Sequence, residues 1–118
     1  MLNKVFCVNN GEIKIDNGIL RVIVDYQRGG NISSLYFNNK NFEMLFQPKH
    51  SNLDIPQKGD SFEKYAATGF DDTFPNIDAE KIIYSGREIT YNDHGDIWTS
   101  RMNMLIDNED IVLYSENE

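Results

Sequence analysis

An all-β fold, specifically an antiparallel β-sandwich, is predicted by two features of this 118-residue chain. Short runs of alternating apolar and polar residues recur along the sequence. Turn-forming Asn, Gly and Pro residues separate these runs at fairly regular intervals. This spacing is typical of sandwiches and barrels, and the sequence contains no heptad, solenoid repeat or long helical pattern.

The first half of the chain predicts consecutive hairpins. Residues 12–16 alternate, and the strand pattern resumes over residues 19–26 after Asn17-Gly18. Asn-Gly between alternating runs is the strongest short-range hairpin signal, because both turn positions require positive φ. We therefore expect an antiparallel sheet over residues 12–47 with a tight turn at Asn17-Gly18. Its later strands are expected at residues 32–37 and 41–47, with turns at 27–30 and 38–40.

The second half is less regular. Residues 48–62 form a long irregular stretch, and loops of this length are usually functional or disordered. One helical turn is predicted at residues 62–67. The chain stops directly after an apolar strand, so we interpret residues 1–118 as the N-terminal portion of a single, truncated domain. An uncovered sheet edge would then allow self-association. Strands are predicted at residues 81–84, 88–91, 97–105 and 111–114.

Composition limits the classes of partner. The formal charge of −8 opposes binding to nucleic acid, because a phosphate backbone is itself negative. The single cysteine, Cys7, excludes an internal disulfide framework and a CxxC metal site, and we expect it to be an inert core residue. No signal peptide or bilayer-spanning stretch is present in the sequence, which favours a cytoplasmic protein without membrane contact.

Residue types that carry chemistry concentrate in two clusters, residues 69–78 and 91–101. Each cluster combines carboxylates, aromatic rings and a Gly or Pro that bends the backbone. Sugar sites require this mixture, since carboxylates accept hydrogen bonds from hydroxyls and aromatic faces cover the apolar side of a sugar ring. The candidate substrate-binding residues are Asp71, Asp72, Phe74, Asp93, Trp98 and Arg101.

Three stretches resemble the galactose mutarotase-like superfamily, especially its aldose 1-epimerase-related bacterial members. They are residues 30–35 (GNISSL), residues 69–77 with the Phe74-Pro75 pair, and residues 93–98 (DHGDIW). The resemblance implies an isomerase that interconverts sugar anomers by His/Glu acid–base catalysis, without cofactor or metal. It also implies that His94 is the catalytic histidine that contacts the sugar near its ring oxygen, a role that suits a group titrating near neutrality.

The chain departs from the family pattern in two respects. The family's second histidine and its basic Glu lie much further along the chain than residue 118, so we expect this chain alone to be inactive. Many relatives carry arginines at the positions near Ala67 and at Trp98, whereas here Arg101 is the one cation near the His-Gly motif in sequence. A neutral aldose is therefore expected to bind better than a sugar phosphate.

Simpler interpretations remain open at each position. His94 would also fit a turn histidine bonded to Asp93 or Asp96, and His50 a solvated side chain. Trp98 would fit the core as well as a pocket wall. Asp71-Asp72 is also a turn signal, Phe74-Pro75 also directs the loop, and the acidic residues match no EF-hand-like spacing. The alternatives to an isomerase are a non-catalytic carbohydrate-binding β-domain and a structural β-domain that shares only the scaffold.

The resemblance leads to one geometric expectation. Residues 69–78 and 93–98 should lie side by side, with His94, Trp98 and a carboxylate of Asp71 or Asp72 on one concave surface. If residues 93–98 are a strand, the side chains of His94 and Trp98 share one face. A bulge at Gly95 would break that alternation.

Overall fold

The computed structural model describes residues 5–49, 54–65 and 69–116. Within these ranges the regular structure is antiparallel β-strand, interrupted by short 3₁₀ turns at Asn38–Lys40, Phe62–Lys64 and Ile97–Thr99. The all-β class with antiparallel sheets is confirmed, as is a helical turn beginning at Phe62. No helix in the described part of the chain is long and apolar enough to cross a bilayer. His50, Ala66 and Ala67 lie outside the described residues.

The largest sheet has five strands in sequential order, so each strand pairs with the next along the chain. Two separate hairpins follow it. The sheet comprises β1 (Val5–Asn9), β2 (Glu12–Asp16), β3 (Leu20–Asp25), β4 (Asn31–Phe37) and β5 (Phe42–Glu43). The hairpins are β6 (Glu80–Tyr84) with β7 (Arg87–Tyr91), and β8 (Asn103–Asp107) with β9 (Asp110–Tyr114).

The hairpin between β2 and β3 forms as predicted, but its turn lies one residue later. Asn17 donates its backbone N–H to the Leu20 carbonyl at 3.2 Å, so the two central residues are Gly18 and Ile19. Only Gly18 of Asn17-Gly18 has a positive φ. The side chain of Asn17 explains the shift, since its Oδ1 accepts from the N–H groups of Ile19 and Leu20 at 2.9 and 2.8 Å.

A second hairpin, between β1 and β2, was not predicted. Asn10 and Gly11 turn the chain with φ values of 47° and 88°. Positive φ at both turn positions is the condition that Asn-Gly satisfies best. Cys7, predicted as core, is instead exposed. It pairs with Lys14 across the strands and therefore faces away from the buried Ile13.

Two predicted strands are shorter than expected. The strand at residues 41–47 is reduced to Phe42–Glu43, because the Leu35 N–H donates to the Glu43 carboxylate at 2.9 Å instead of to the backbone of Met44. The strand at residues 97–105 begins only at Asn103. The preceding residues form a 3₁₀ turn, in which the Thr99 and Ser100 hydroxyls both donate to the Asp96 carbonyl.

A β-bulge in β4 has consequences for the site. Ile23 pairs with Ser34 while Val24 pairs with Ile32, so Ser33 is an extra residue in the ladder. Asn31 and Ser34 are both buried, although a strand without a bulge would direct them to opposite faces. The bulge therefore turns the Asn31 side chain inward at the end of the sheet.

The large sheet contacts the segment after residue 93 through the turn between β3 and β4. Gly29 donates to the Ser100 carbonyl at 2.7 Å, and Met102 donates to the Tyr26 carbonyl at 2.7 Å. A Cβ on Gly29 would lie 2.1 Å from the Ile97 carbonyl oxygen, so only glycine permits this approach. Trp98 and Met102 are buried in this contact region, at 2% and 8% exposure.

Candidate functional site

The two clusters singled out in the sequence lie against each other. Phe74 and Gly95 form an isolated parallel bridge. The His94 N–H donates to the Ile77 carbonyl at 2.6 Å, and the Asp96 N–H donates to the Phe74 carbonyl at 2.8 Å. The predicted side-by-side arrangement of residues 69–78 and 93–98 is therefore confirmed.

The conformation of residues 93–98 differs from the predicted strand. His94 and Gly95 have φ values of 58° and 76°, which makes them a left-handed turn that leads into the 3₁₀ turn Ile97–Thr99. The period-two argument for placing His94 and Trp98 on one face is wrong for this reason. The two side chains are instead brought together by the aromatic ring of Phe62, which comes from the irregular stretch.

His94 is held on one side by Asp93. The His94 Nδ1 and Asp93 Oδ1 atoms are 2.8 Å apart. The other Asp93 oxygen, Oδ2, accepts from the Phe62 N–H at 2.8 Å and from the Ser61 hydroxyl at 3.5 Å. The contacts from His94 and Phe62 hold the pKa of Asp93 below its usual range. An ionised carboxylate only accepts, so Nδ1 of His94 carries a proton.

The Phe62 ring covers one face of the His94 imidazole. The Phe62 ring stacks on it with 4.1 Å between centroids and 7° between planes. About a third of the His94 side chain remains exposed, at 29%. Among the described residues, none forms a hydrogen bond with Nε2. This nitrogen is therefore the atom of His94 available to a ligand.

Trp98 supports this arrangement from the core. Its ring makes edge contacts with Phe62 at 5.1 Å and Tyr65 at 5.8 Å, and its Nε1 donates to the Asp93 carbonyl at 2.9 Å. With 2% exposure it has no open face for a sugar ring. Trp98 is therefore a core residue rather than a pocket wall, and it supports Asp93 and Phe62 through these contacts.

Asp71 lies between two anchored points of its loop. Phe70 pairs with Ile32, and Phe74 pairs with Gly95. The Asn31 side chain donates to Asp71 Oδ1 at 2.7 Å. Burial raises the pKa of Asp71 above its ordinary value. This hydrogen bond and the charges of Arg28 and His94 lower the pKa, but the effect of burial is larger. Asp71 and His94 are therefore close enough to influence each other electrostatically.

Arg28 is the cation that sequence reasoning missed. It lies in the turn between β3 and β4 and is only 5% exposed, yet its charge acts on both Asp25 and Asp71. Arg101, the nearest cation in sequence, is exposed. In the sequence, residues 27–30 are typical of an ordinary turn. In the structure, Gly29 packs closely against Ile97, and this contact brings the turn that carries Arg28 towards the site.

The remaining candidates are more exposed. Asp72 is exposed, and Phe74 is 59% exposed although its carbonyl anchors the neighbouring segment. Phe74 borders a cavity of about 220 Å³. The other lining residues are Ile97, Met102, Leu113, Tyr114 and Ser115. Across residues 5–49, 54–65 and 69–116, no group of three or more His, Cys, Asp or Glu side chains is arranged to hold a metal ion.

Loop amides brace the segment around His94. The Asn76 side chain donates to the carbonyls of Asp78 and Asn92, at 2.8 and 2.7 Å. The Asn92 side chain in turn donates to Asp96 Oδ1 at 2.6 Å. Asp96 is therefore engaged in the loop, and of the two carboxylates that flank His94 in sequence it is Asp93 that contacts the ring.

The raised pKa of Asp71 predicts how stability depends on pH. A folded-state pKa above the ordinary value means that ionisation of Asp71 costs stability. The cost is absent below the ordinary pKa and complete above the raised one. The free energy of unfolding of the wild type, relative to that of Asp71→Asn, should therefore fall as pH rises through this window. Urea unfolding from pH 3.5 to 7 measures it, with Asp72→Asn as the exposed charge control. A flat or rising difference would contradict the prediction.

Comparison with known proteins gives no assignment. No protein-family model matches the chain, and no curated protein matches it significantly.

Proposed function

We propose that this chain carries part of the sugar site of an aldose 1-epimerase-type isomerase, built on a galactose mutarotase-like β-sandwich. The observation that supports it best is the Asp93–His94 pair covered by Phe62, with Nε2 open and Asp71 nearby. Paired groups that handle protons, set in different environments, are characteristic of acid–base sites.

The proposed chemistry breaks and re-forms one C–O bond, with two proton transfers on opening of the ring and the reverse two on closure. A base takes the proton from the anomeric hydroxyl, and the bond between the anomeric carbon and the ring oxygen breaks as an acid protonates that oxygen. The open-chain aldehyde then recloses on either face. With Nδ1 protonated and bonded to Asp93, His94 presents Nε2 to the ring oxygen. The imidazolium form of His94 donates this proton from Nε2, and the neutral imidazole takes it back when the ring closes.

Asp71 contributes to binding in this proposal. Its Oδ1 is occupied by Asn31, and among the described residues Oδ2 has no hydrogen-bond partner. A carboxylate oxygen in a partly buried position accepts strongly from a sugar hydroxyl. The exposed ring of Phe74 in the adjoining loop offers an apolar surface for the sugar's C–H groups.

The charge balance of the site favours neutral sugars. Asp71, Asp72, Asp93 and Asp96 lie in the two clusters, while the charge of the buried Arg28 acts on Asp71. A phosphate group would meet more negative than positive charge there. Titration of the protein with glucose, galactose and glucose 6-phosphate, followed by ¹H–¹⁵N NMR, tests this preference.

We expect millimolar binding of at least one neutral aldose, with shifts concentrated at residues 69–78 and 93–98 and at the indole N–H of Trp98. Glucose 6-phosphate should bind more weakly at low ionic strength. Inorganic phosphate serves as the control for non-specific anion binding. Tighter binding of the sugar phosphate would contradict the charge argument, and shifts confined to other parts of the chain would contradict the site.

A further inference from the structure

Asn31 is the most deeply buried polar side chain near the candidate site. It begins β4 and is 1% exposed, because the bulge at Ser33 turns it inward. Its Nδ2 donates to Asp71 Oδ1 at 2.7 Å and to the Phe70 carbonyl at 3.3 Å. Burying an amide is costly unless its hydrogen bonds are made, so its orientation is strongly constrained.

The loop that carries Asp71 has little freedom to move away from Asn31. The Ile32 and Phe70 backbones exchange two hydrogen bonds of 2.9 Å each. A Cβ on the preceding Gly69 would lie 2.0 Å from the Ile32 carbonyl oxygen, which shows how closely the loop approaches β4. The Asn31–Asp71 contact is therefore formed between two fixed pieces of backbone.

We propose that Asn31 is a positioning residue of the sugar site, which holds Asp71 by Oδ1 so that Oδ2 accepts a hydrogen bond from a sugar hydroxyl beside His94. This inference rests on the proposed function. Asn31 acts in the same way as Asp93, which holds His94 by Nδ1 and leaves Nε2 available. The site thus consists of two ligand-facing atoms, each oriented by a second polar group.

Removal of the amide should alter both geometry and titration. Without the donor, Asp71 is free to rotate, and it remains partly buried with less stabilisation of its charge. The groups whose charges act on Asp71 are Arg28, Asp72, His94 and the neighbouring Asp25, and all of them stay in place. Loss of the hydrogen bond then raises the pKa of Asp71, and the acidic limb of sugar binding moves to higher pH.

The test compares Asn31→Leu with Ser34→Ala. Leucine approximates the shape of asparagine but donates no hydrogen bond. Ser34 is the other buried polar residue of β4, and its hydroxyl contacts Glu43 rather than Asp71. The measurements are the Kd for the neutral aldose as a function of pH and the NMR titration of the Asp71 carboxyl carbon. Thermal unfolding checks that each variant is folded.

We expect Asn31→Leu to weaken sugar binding about tenfold at pH 7, to raise the pKa of Asp71 and to move the acidic limb upward. Ser34→Ala should change stability alone. If Asn31→Leu does not fold, Asn31→Ser, whose hydroxyl is too short to reach, replaces it. If the folded variant has the same pH profile of sugar binding and the same Asp71 titration as the wild type, the inference is overturned. If no form binds sugar but the Asp71 titration still shifts, the proposed function fails while the positioning of Asp71 stands.

Discussion

Replacement of Gly95 by alanine is expected to destabilise the protein by about 3 kcal/mol, a large part of the stability of a small domain. Gly95 is buried with φ +76°, and a Cβ there would lie 2.1 Å from the Phe74 carbonyl oxygen and 2.4 Å from its carbonyl carbon. Both atoms belong to backbone, so no change of side-chain rotamer relieves the overlap. The loops that bring His94 and Asp71 together would have to separate.

Gly86 provides the matched control. Its φ is +75°, almost the same as that of Gly95, but nothing lies within 4 Å of the Cβ position. Gly86→Ala should cost only the intrinsic penalty of the left-handed conformation, about 1 kcal/mol. Urea unfolding followed by the fluorescence of the single tryptophan, Trp98, measures both variants. Equal losses would contradict the prediction, because they would show that the overlap with the Phe74 backbone costs no stability.

Replacement of His94 by asparagine is expected to reduce sugar affinity at least tenfold. Asparagine tolerates the left-handed conformation of this position, where φ is 58°, so the turn should persist. The variant lacks the imidazole and with it Nε2, the atom proposed to reach the sugar ring oxygen. It also lacks the stack on Phe62, which should lower stability by about 1 kcal/mol.

The other histidine of the chain, His50, supplies the control. His50→Asn makes the same chemical change at the histidine for which the sequence predicts no site role, and it should leave sugar affinity unaltered. Isothermal titration with the tightest-binding neutral aldose gives both Kd values, and circular dichroism compares the folds. Unchanged affinity in a folded His94→Asn variant would remove His94 from the sugar site and contradict the role proposed for its Nε2 atom.

The strands of the first sheet could be predicted because their information is local. Alternation with a period of two predicted β2, β3 and β4, and the Asn17-Gly18 dipeptide indicated the turn between β2 and β3. Where the prediction was wrong, side chains competed with the backbone. Asn17 moved a turn by one residue, Glu43 ended a strand, and the hydroxyls of Thr99 and Ser100 replaced a strand with a 3₁₀ turn.

The residue types of the candidate site were also visible in the sequence, but their partners were not. The density of carboxylates, aromatic rings and bends identified residues 69–78 and 91–101. The contacts of Phe62, Arg28 and Asn31 were not predicted, because their partners in the site are distant in sequence. A signal for Phe62 existed in the helical turn predicted to start there, within a stretch long enough to suggest function.

Local sequence patterns predict an all-β chain with antiparallel hairpins and two clusters of chemically active side chains. Which of these side chains meet depends on the folded chain. Phe62 stacks on His94, Trp98 is buried against Phe62, Asn31 donates to Asp71, and the charge of Arg28 acts on Asp71. These contacts require the bulge at Ser33 and close approaches of backbone at Gly29, Gly69 and Gly95. Such approaches join residues distant in sequence, and no local periodicity encodes them.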